Sequence, residues 1–385
     1  MSLLFVHDHE FLVHEGLVYS DKLSYRIFQR YLDSFNSVTV FSRYKVVNEK
    51  PSLPRACGEH VSFVFGSGFN KLSSLVGIKS ESHVLLNNLV KKHDHIISRL
   101  PSEPGYVACS YCMSMGKKFS VEVVGCAWDA LWNYGSIVGK IYAPISLLRM
   151  KYYVYHSFST MYVTNYFLQK RYPTKAKIKE SVSNVELNAT ADSVNKNDFN
   201  LISSEFKIGL IGSFKNNYKG IHIAIRSLHL LKRSGLTPSL HILGSGDESS
   251  LLNLAKKLSV QNQIFFDGML PPGDEVNGWL DSMQIYIQPS FQEGVPRALI
   301  EALGRGKYSI ASTAGGIPQL LKEDYLIKPG DFDSLAHKIL KATTSHHEFV
   351  SAQEENLITS RDYLSDKLNA RRSNYFDDIK RNISQ

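Results

Sequence analysis

Residues 285–318 read IYIQPSFQEGVPRALIEALGRGKYSIASTAGGIP, a strand, a helix and a second strand set apart by glycine- and proline-marked turns. Ile285 and Ile287 alternate in an apolar run that stops at Pro289-Ser290, and a loop carries Glu293-Gly294. A helix is expected to open at Pro296, because a proline's missing N–H has no partner at the first helical position in any case. Glu301 falls on its second turn, and Gly304 and Gly306 mark its end before a strand at 308–312 and a Gly315-Gly316 turn. The N–H groups of Arg297, Ala298 and Leu299 then point out of a helix N-terminus, which attracts phosphate. Carboxylates on either side of such a site do not suit bare phosphate. They suit a phosphate flanked by a sugar on one side and a ribose on the other, and so a nucleotide-sugar.

The same alternation of short β-branched runs and helical patterns fills the chain, which predicts parallel sheets with crossover helices. Strands are expected at 3–6, 37–42, 61–65, 96–99, 120–124 and 161–164, and after a polar stretch at 182–198 a second cycle begins. There strands are expected at 207–211, 239–243, 264–266, 284–288, 308–312 and 325–327, with helices at 221–232 and 249–258. At 385 residues the chain accommodates two domains, predicted as 1–185 on the acceptor side, a linker at 186–204, a donor-binding domain at 205–360 and a terminal helix at 361–385. Ligands of such sheets bind beyond the carboxyl ends of the strands, so the loops there carry the candidate site.

Composition narrows the class. A hydrophobic fraction of 43% and a charged fraction of 21% describe a globular protein. No apolar run approaches the ~20 residues that span a bilayer. The apolar run 3–6 meets Asp8 and Glu10 at once, which reads as a buried strand and not a signal peptide, and a cytoplasmic location is expected. Cys109 and Cys112 are the only close cysteine pair and fall on an apolar helical face, where packing explains them. Residues 1–185 hold 22 Lys+Arg against 13 Asp+Glu, while the remainder is nearly balanced. Nucleic acid is not expected, since no recognition motif accompanies the charge. Either the excess serves solubility, or it faces an anionic membrane surface or a lipid-pyrophosphate acceptor at the inner face of the membrane.

Glu293-x7-Glu301, in the setting S-F-Q-E-G-V-P-x-x-x-I-E-A-L, resembles the signature of the retaining glycosyltransferases of family 4, which have the GT-B fold. The resemblance implies two Rossmann-like domains facing a cleft, a C-terminal helix crossing back to the first, and hexosyl transfer from a UDP- or GDP-sugar to a glycan or lipid-linked acceptor in bacterial polysaccharide assembly. No other cofactor and no metal are expected. Asp331-Phe332-Asp333 follows Pro329-Gly330 and opens a helix, so it reads as a cap and not as a metal motif.

The resemblance also assigns roles. Glu293 holds donor sugar hydroxyls, Gly294, Val295, Pro296 and Arg297 are donor-binding beside it, and Glu301 holds the ribose. Gly212 through Gly220 resembles a phosphate loop in which Lys219-Gly220 matches a Lys-Gly pair, while the family's frequent arginine falls on Ser213. Serine offers one hydrogen bond where arginine clamps a diphosphate with two. The charge then rests on Lys219, with Lys215 and the 297–299 amides as further contributors. Gly244, Gly268, Met269, Gly316 and Ile317 correspond to further donor-side turns.

In the first half, 94–101 fits the family's Asp-x4-His-x-Pro frame with Arg99 in the histidine's place, so Arg99 is a candidate for acceptor or phosphate contact. The titratable stretch from His7 to Gly16 is expected as a loop, with His14, Glu15 and Gly16 on the acceptor side. Trp128 and Asp129 form either a sugar-stacking wall or core. A non-catalytic nucleotide-sugar or glycan-binding subunit, or an epimerase of the same fold, is the alternative that the departures at Ser213 and Arg99 leave open.

Overall fold

The computed structural model describes residues 1–69, 80–132, 137–200, 206–215 and 217–383. Contacts divide it into two units: Met1–Asn184 together with the chain from Asn369 onward, and Val185–Leu368.

The first unit is built on an eight-stranded sheet. Its strands are β1 (Ser2–His14), β2 (Leu17–Tyr19), β3 (Ser37–Val46), β4 (Val61–Phe65), β5 (His95–Leu100), β6 (Ser120–Val123), β7 (Ser159–Tyr162) and β8 (Ile178–Ser181). The order is β4-β3-β1-β5-β6-β7-β8, parallel throughout, with β2 antiparallel to β1. Leu3, Leu4, Phe5 and Val6 are completely buried, as an interior parallel strand covered on both faces requires.

The stretch from His7 onward is not a loop. After an irregularity between Val6 and Glu10, β1 resumes and pairs Glu10–Val13 with Arg43–Val46, then turns back on itself. Glu15 and Gly16, at φ 47° and 75°, make the turn, since a tight hairpin needs both central residues left-handed to match strand twist. Phe11 explains the extension. It is fully buried and packs edge-on against Phe63, with ring centroids 5.0 Å apart.

Cys109 and Cys112 lie on the buried side of the helix Glu103–Ser114, whose N-terminus Ser102 caps by accepting the N–H of Gly105. Burial pushes the Cys112 thiol up to about 12 and that of Cys109 higher, which keeps both protonated and inert. The terminal helix Ser365–Ile383 closes this unit from Asn369 onward. Tyr375 donates to Ser159 Oγ at 2.9 Å, Arg371 pairs with Glu180 at 2.7 Å, and Phe376 packs on Tyr31.

The second unit holds β9 (Lys207–Ile211), β10 (Ser239–Leu243), β11 (Ile264–Gly268), β12 (Ile285–Gln288), β13 (Tyr308–Ser312) and β14 (Leu326–Ile327) in the order β11-β10-β9-β12-β13-β14, all parallel. Ile208, Leu210, Ile242, Ile285 and Ile310 fill one face with the helices Ile221–Arg233 and Phe332–Ala342. Leu299, Ile300 and Leu303 of the helix Arg297–Gly304 cover the other around Tyr286. Asp331 caps Phe332–Ala342 by accepting the N–H of Ser334. The expected linker is laid along this unit as far as it is described. Leu187 bonds to the Tyr363 carbonyl, Ala191 to that of Gly304, and Asp198 meets Lys307 at 2.8 Å in a fully buried pair. Asp198 holds such a position because Lys307 and Gln353 both donate to its carboxylate.

Candidate active site

Strand order reverses at β9, which lies between β10 and β12, and ligands of open parallel sheets bind beyond the strand ends at that point. The loops leaving β9 and β12 therefore flank the crevice, and both carry sequence-predicted residues. Two glycines let them meet. Gly220, at φ 72°, starts the helix Ile221–Arg233, and a side-chain carbon there would lie 2.0 Å from the Pro289 carbonyl oxygen. Gly315, at φ 55°, brings the loop after β13 so close that a side-chain carbon would fall 1.8 Å from the Glu293 carbonyl oxygen. The Phe291 N–H donates to Tyr218, that of Gly316 donates to Gly294, and Ser312 Oγ donates to Ser290.

These loops present a buried charge pair. Lys219 Nζ donates to Glu293 Oε1 at 2.8 Å, with side chains 16% and 8% exposed. The same Oε1 accepts Ser290 Oγ at 2.7 Å and Gln288 Nε2 at 3.1 Å. Gln288 Oε1 in turn accepts the Tyr286 hydroxyl at 2.6 Å. Tyr286, Gln288 and Ser290 are completely buried, so the carboxylate is held by a fixed scaffold. The sequence reading missed these three. Their signal was present in β12, where polar groups end an otherwise apolar strand just before the acidic loop.

Beside the pair stands the helix Arg297–Gly304. Pro296 is not its first residue but its N-cap, at φ −74° and ψ 115°, with extended geometry. The first intrahelical bond runs from the Ile300 N–H to the Pro296 carbonyl, so the N–H groups of Arg297, Ala298 and Leu299 find no acceptor within the helix. One turn in, Glu301 is 17% exposed and 3.8 Å from Arg297. Burial raises its pKa, and Arg297 opposes the rise.

The loop after β9 differs from expectation at Ser213. Its hydroxyl donates to the Ser245 carbonyl at 3.1 Å and accepts the Lys215 N–H, so it shapes the loop and is not held ready for a phosphate. Lys215 is exposed, and Asn216 lies outside the described residues. Gly212 bonds to Leu243 and Gly244 to Gly268, joining this loop to the ends of β10 and β11, and Met269 stands exposed beyond.

In the first unit each candidate is engaged by neighbours of its own. Arg99 lies within β5, only 11% exposed, with Nε 3.8 Å from Glu122, which also accepts the Tyr31 hydroxyl at 2.6 Å. His7 Nδ1 donates to the Arg99 carbonyl, and burial first, then Arg99, push its pKa down to about 3, so the ring is neutral. His14, Glu15 and Gly16 belong to the β1–β2 hairpin, where His14 Nδ1 bonds to the Val47 carbonyl. Trp128 stacks on Trp132 at 4.9 Å, and Asp129 pairs with Arg171 at 3.6 Å. Among the described residues, no three His, Cys, Asp or Glu side chains cluster as metal ligands.

Solved structures settle which two-unit fold this is. HepE of Anabaena, in complex with UDP-glucose, matches over 98% of this chain and 100% of its own, with a TM-score of 0.64 at 14% identity. The fold is GT-B, the architecture of a glycosyltransferase. The model of the family described as glycosyl transferases group 1 matches residues 205–345. Protein CapJ of Staphylococcus aureus is 35% identical over 367 residues, 95% of this chain and 91% of CapJ. The amylovoran biosynthesis glycosyltransferase AmsK of Erwinia amylovora is 29% identical over 142 residues, 34% of this chain and 35% of AmsK. The chain belongs to the group 1 glycosyltransferase family and is an enzyme of that class.

Proposed function

We propose that this enzyme is a retaining, family 4 hexosyltransferase that works without a metal. It moves a sugar from a UDP- or GDP-sugar to a hydroxyl of a glycan or lipid-linked acceptor in bacterial surface polysaccharide biosynthesis, in the cytoplasm at an anionic membrane surface. The observation that carries the reading is the Lys219–Glu293 pair beside a helix N-terminus whose accessible residues Arg297 and Ala298 have amides without an acceptor in the helix. A donor diphosphate on those amides competes for the Lys219 ammonium and draws it from Glu293. The carboxylate then turns its acceptor oxygens to the sugar hydroxyls. Donors aimed at charge that grows on the leaving diphosphate stabilise the transition state more than the ground state. Glu301 accepts the ribose hydroxyls a turn away. The names of AmsK and of the HepE complex support the polysaccharide setting and the nucleotide-sugar donor.

Thermal shifts with UDP-, GDP-, ADP- and TDP-sugars in excess EDTA identify the donor, and product analysis with that donor and candidate acceptors identifies the transfer. Activity lost to EDTA and restored by magnesium or manganese overturns the metal-independent mechanism. A new sugar epimer formed from donor alone overturns transfer itself.

A further inference from the structure

The helix Ile137–His156 in the first unit is apolar on two faces, and only one of them is covered. Gly139, Tyr142, Ala143, Ser146, Met150 and Val154 are buried against the unit. Arg149 clamps the helix there, 2.8 Å from Glu103 and over the Tyr106 ring. The opposite face is Ile137, Val138, Ile141, Ile145, Leu148 and Tyr152, with Ile137 76%, Ile141 70% and Leu148 65% exposed. At about 100° per residue these six fall within an arc of about 100°, a continuous stripe about 22 Å long. A protein that works in water alone rarely exposes such a patch.

Charge says what covers it. Between Asp129 and Glu180 the sequence holds eight Lys and Arg and no carboxylate. On the helical wheel Lys140 and Lys151, both exposed, lie about 40–60° beyond one edge of the stripe. Lys140 stands over the half-exposed Trp132 ring, and Lys175 stands over Tyr155 at the far end. Protein interfaces pair both signs around an apolar centre, whereas an apolar stripe rimmed by cations and aromatic rings suits an anionic lipid surface.

We propose that the helix Ile137–His156 lies in the surface of an anionic bilayer, with its stripe from Ile137 to Tyr152 inserted below the headgroups and Lys140, Lys151 and Lys175 against lipid phosphates. This deepens the membrane part of the proposed function and is independent of the transfer chemistry. The test therefore uses the full chain with no donor. Co-sedimentation compares vesicles of phosphatidylcholine with vesicles that also contain phosphatidylglycerol. Binding is expected only to the latter, and high salt should weaken it. The triple variant Ile137→Ser, Ile141→Ser, Leu148→Ser is expected to bind about tenfold or more weakly, with its thermal midpoint unchanged because the three positions are exposed. Tryptophan emission of Leu148→Trp should shift to the blue on the same vesicles. Wild-type protein that ignores anionic vesicles overturns the proposal, as does a triple variant that binds them equally well. A concentration-dependent dimer dissolved by the triple variant, without vesicle binding, assigns the stripe to a second copy of the chain and also overturns it.

Discussion

Lys219 Nζ and Glu293 Oε1, 74 residues apart in sequence, lie 2.8 Å from each other. The contact joins the loops that leave β9 and β12 at the point where strand order reverses. Removing one partner of such a buried pair strands the other charge. The two single variants should therefore not be additive, and their phenotypes should differ in kind.

Lys219→Ala is expected to lower turnover by ~10²–10³, the usual loss for one contact to developing charge. Glu293→Ala should abolish transfer while sparing affinity for the bare nucleoside diphosphate. Steady-state kinetics and calorimetry separate the two. Near-normal turnover in Lys219→Ala would move the clamp to Arg297 or Lys215.

Glu301→Ala should weaken binding of the nucleoside diphosphate alone by about 10- to 150-fold, because one charge-assisted hydrogen-bonded contact is worth ~1.5–3 kcal/mol. Equal calorimetric affinity in wild type and variant removes the ribose role.

Gln288 touches Glu293 from a fully buried position and orients it. Gln288→Leu should reduce kcat ~10-fold or more while KM for the donor stays within about a factor of two. A parallel rise in KM would show that Gln288 shapes donor binding and does not merely orient the carboxylate.

Acid should destabilise the first unit in a predictable window. His95 is fully buried and His7 mostly so, and both are pushed down to about 3 from the usual 6.5, burial being the first cause. The unfolded chain takes up a proton at each ring below about pH 6.5, and the native state does not. Their contribution is present above pH 6.5 and is lost as pH falls toward 3, at ~1.4 kcal/mol per pH unit for each ring. Urea unfolding between about pH 6 and pH 4.5 should show a slope of at least two protons, to which His9, also held below its usual value by burial, adds. His95→Gln, which keeps a partner for Ser120 Oγ, should lower it by about one proton. An unchanged slope assigns the acid sensitivity elsewhere.

The sequence by itself determined the features that local chemistry decides. Apolar runs bounded by turn residues placed β9, β10 and β13 at the residues where they are found, because a buried parallel strand needs little beyond its own apolar run. The E-G-V-P segment marked a helix start, and Asp331 was legible as a cap, since a cap bonds only three residues ahead. Tertiary structure decided what depends on partners far along the chain. His7 to His14 became a strand because Phe11 found Phe63 and the backbone found β3, which outweighed the run of titratable side chains. Ser213 turned its hydroxyl to Ser245, and Pro296 became a cap in place of a first helical residue. Gln288, Ser290 and Tyr286 joined the site only because β12 sits at the switch point and aims Gln288 and Ser290 at Glu293, with the Tyr286 hydroxyl on Gln288 behind them. Pairing of that kind is set by strand order and register, and no local window of residues contains either.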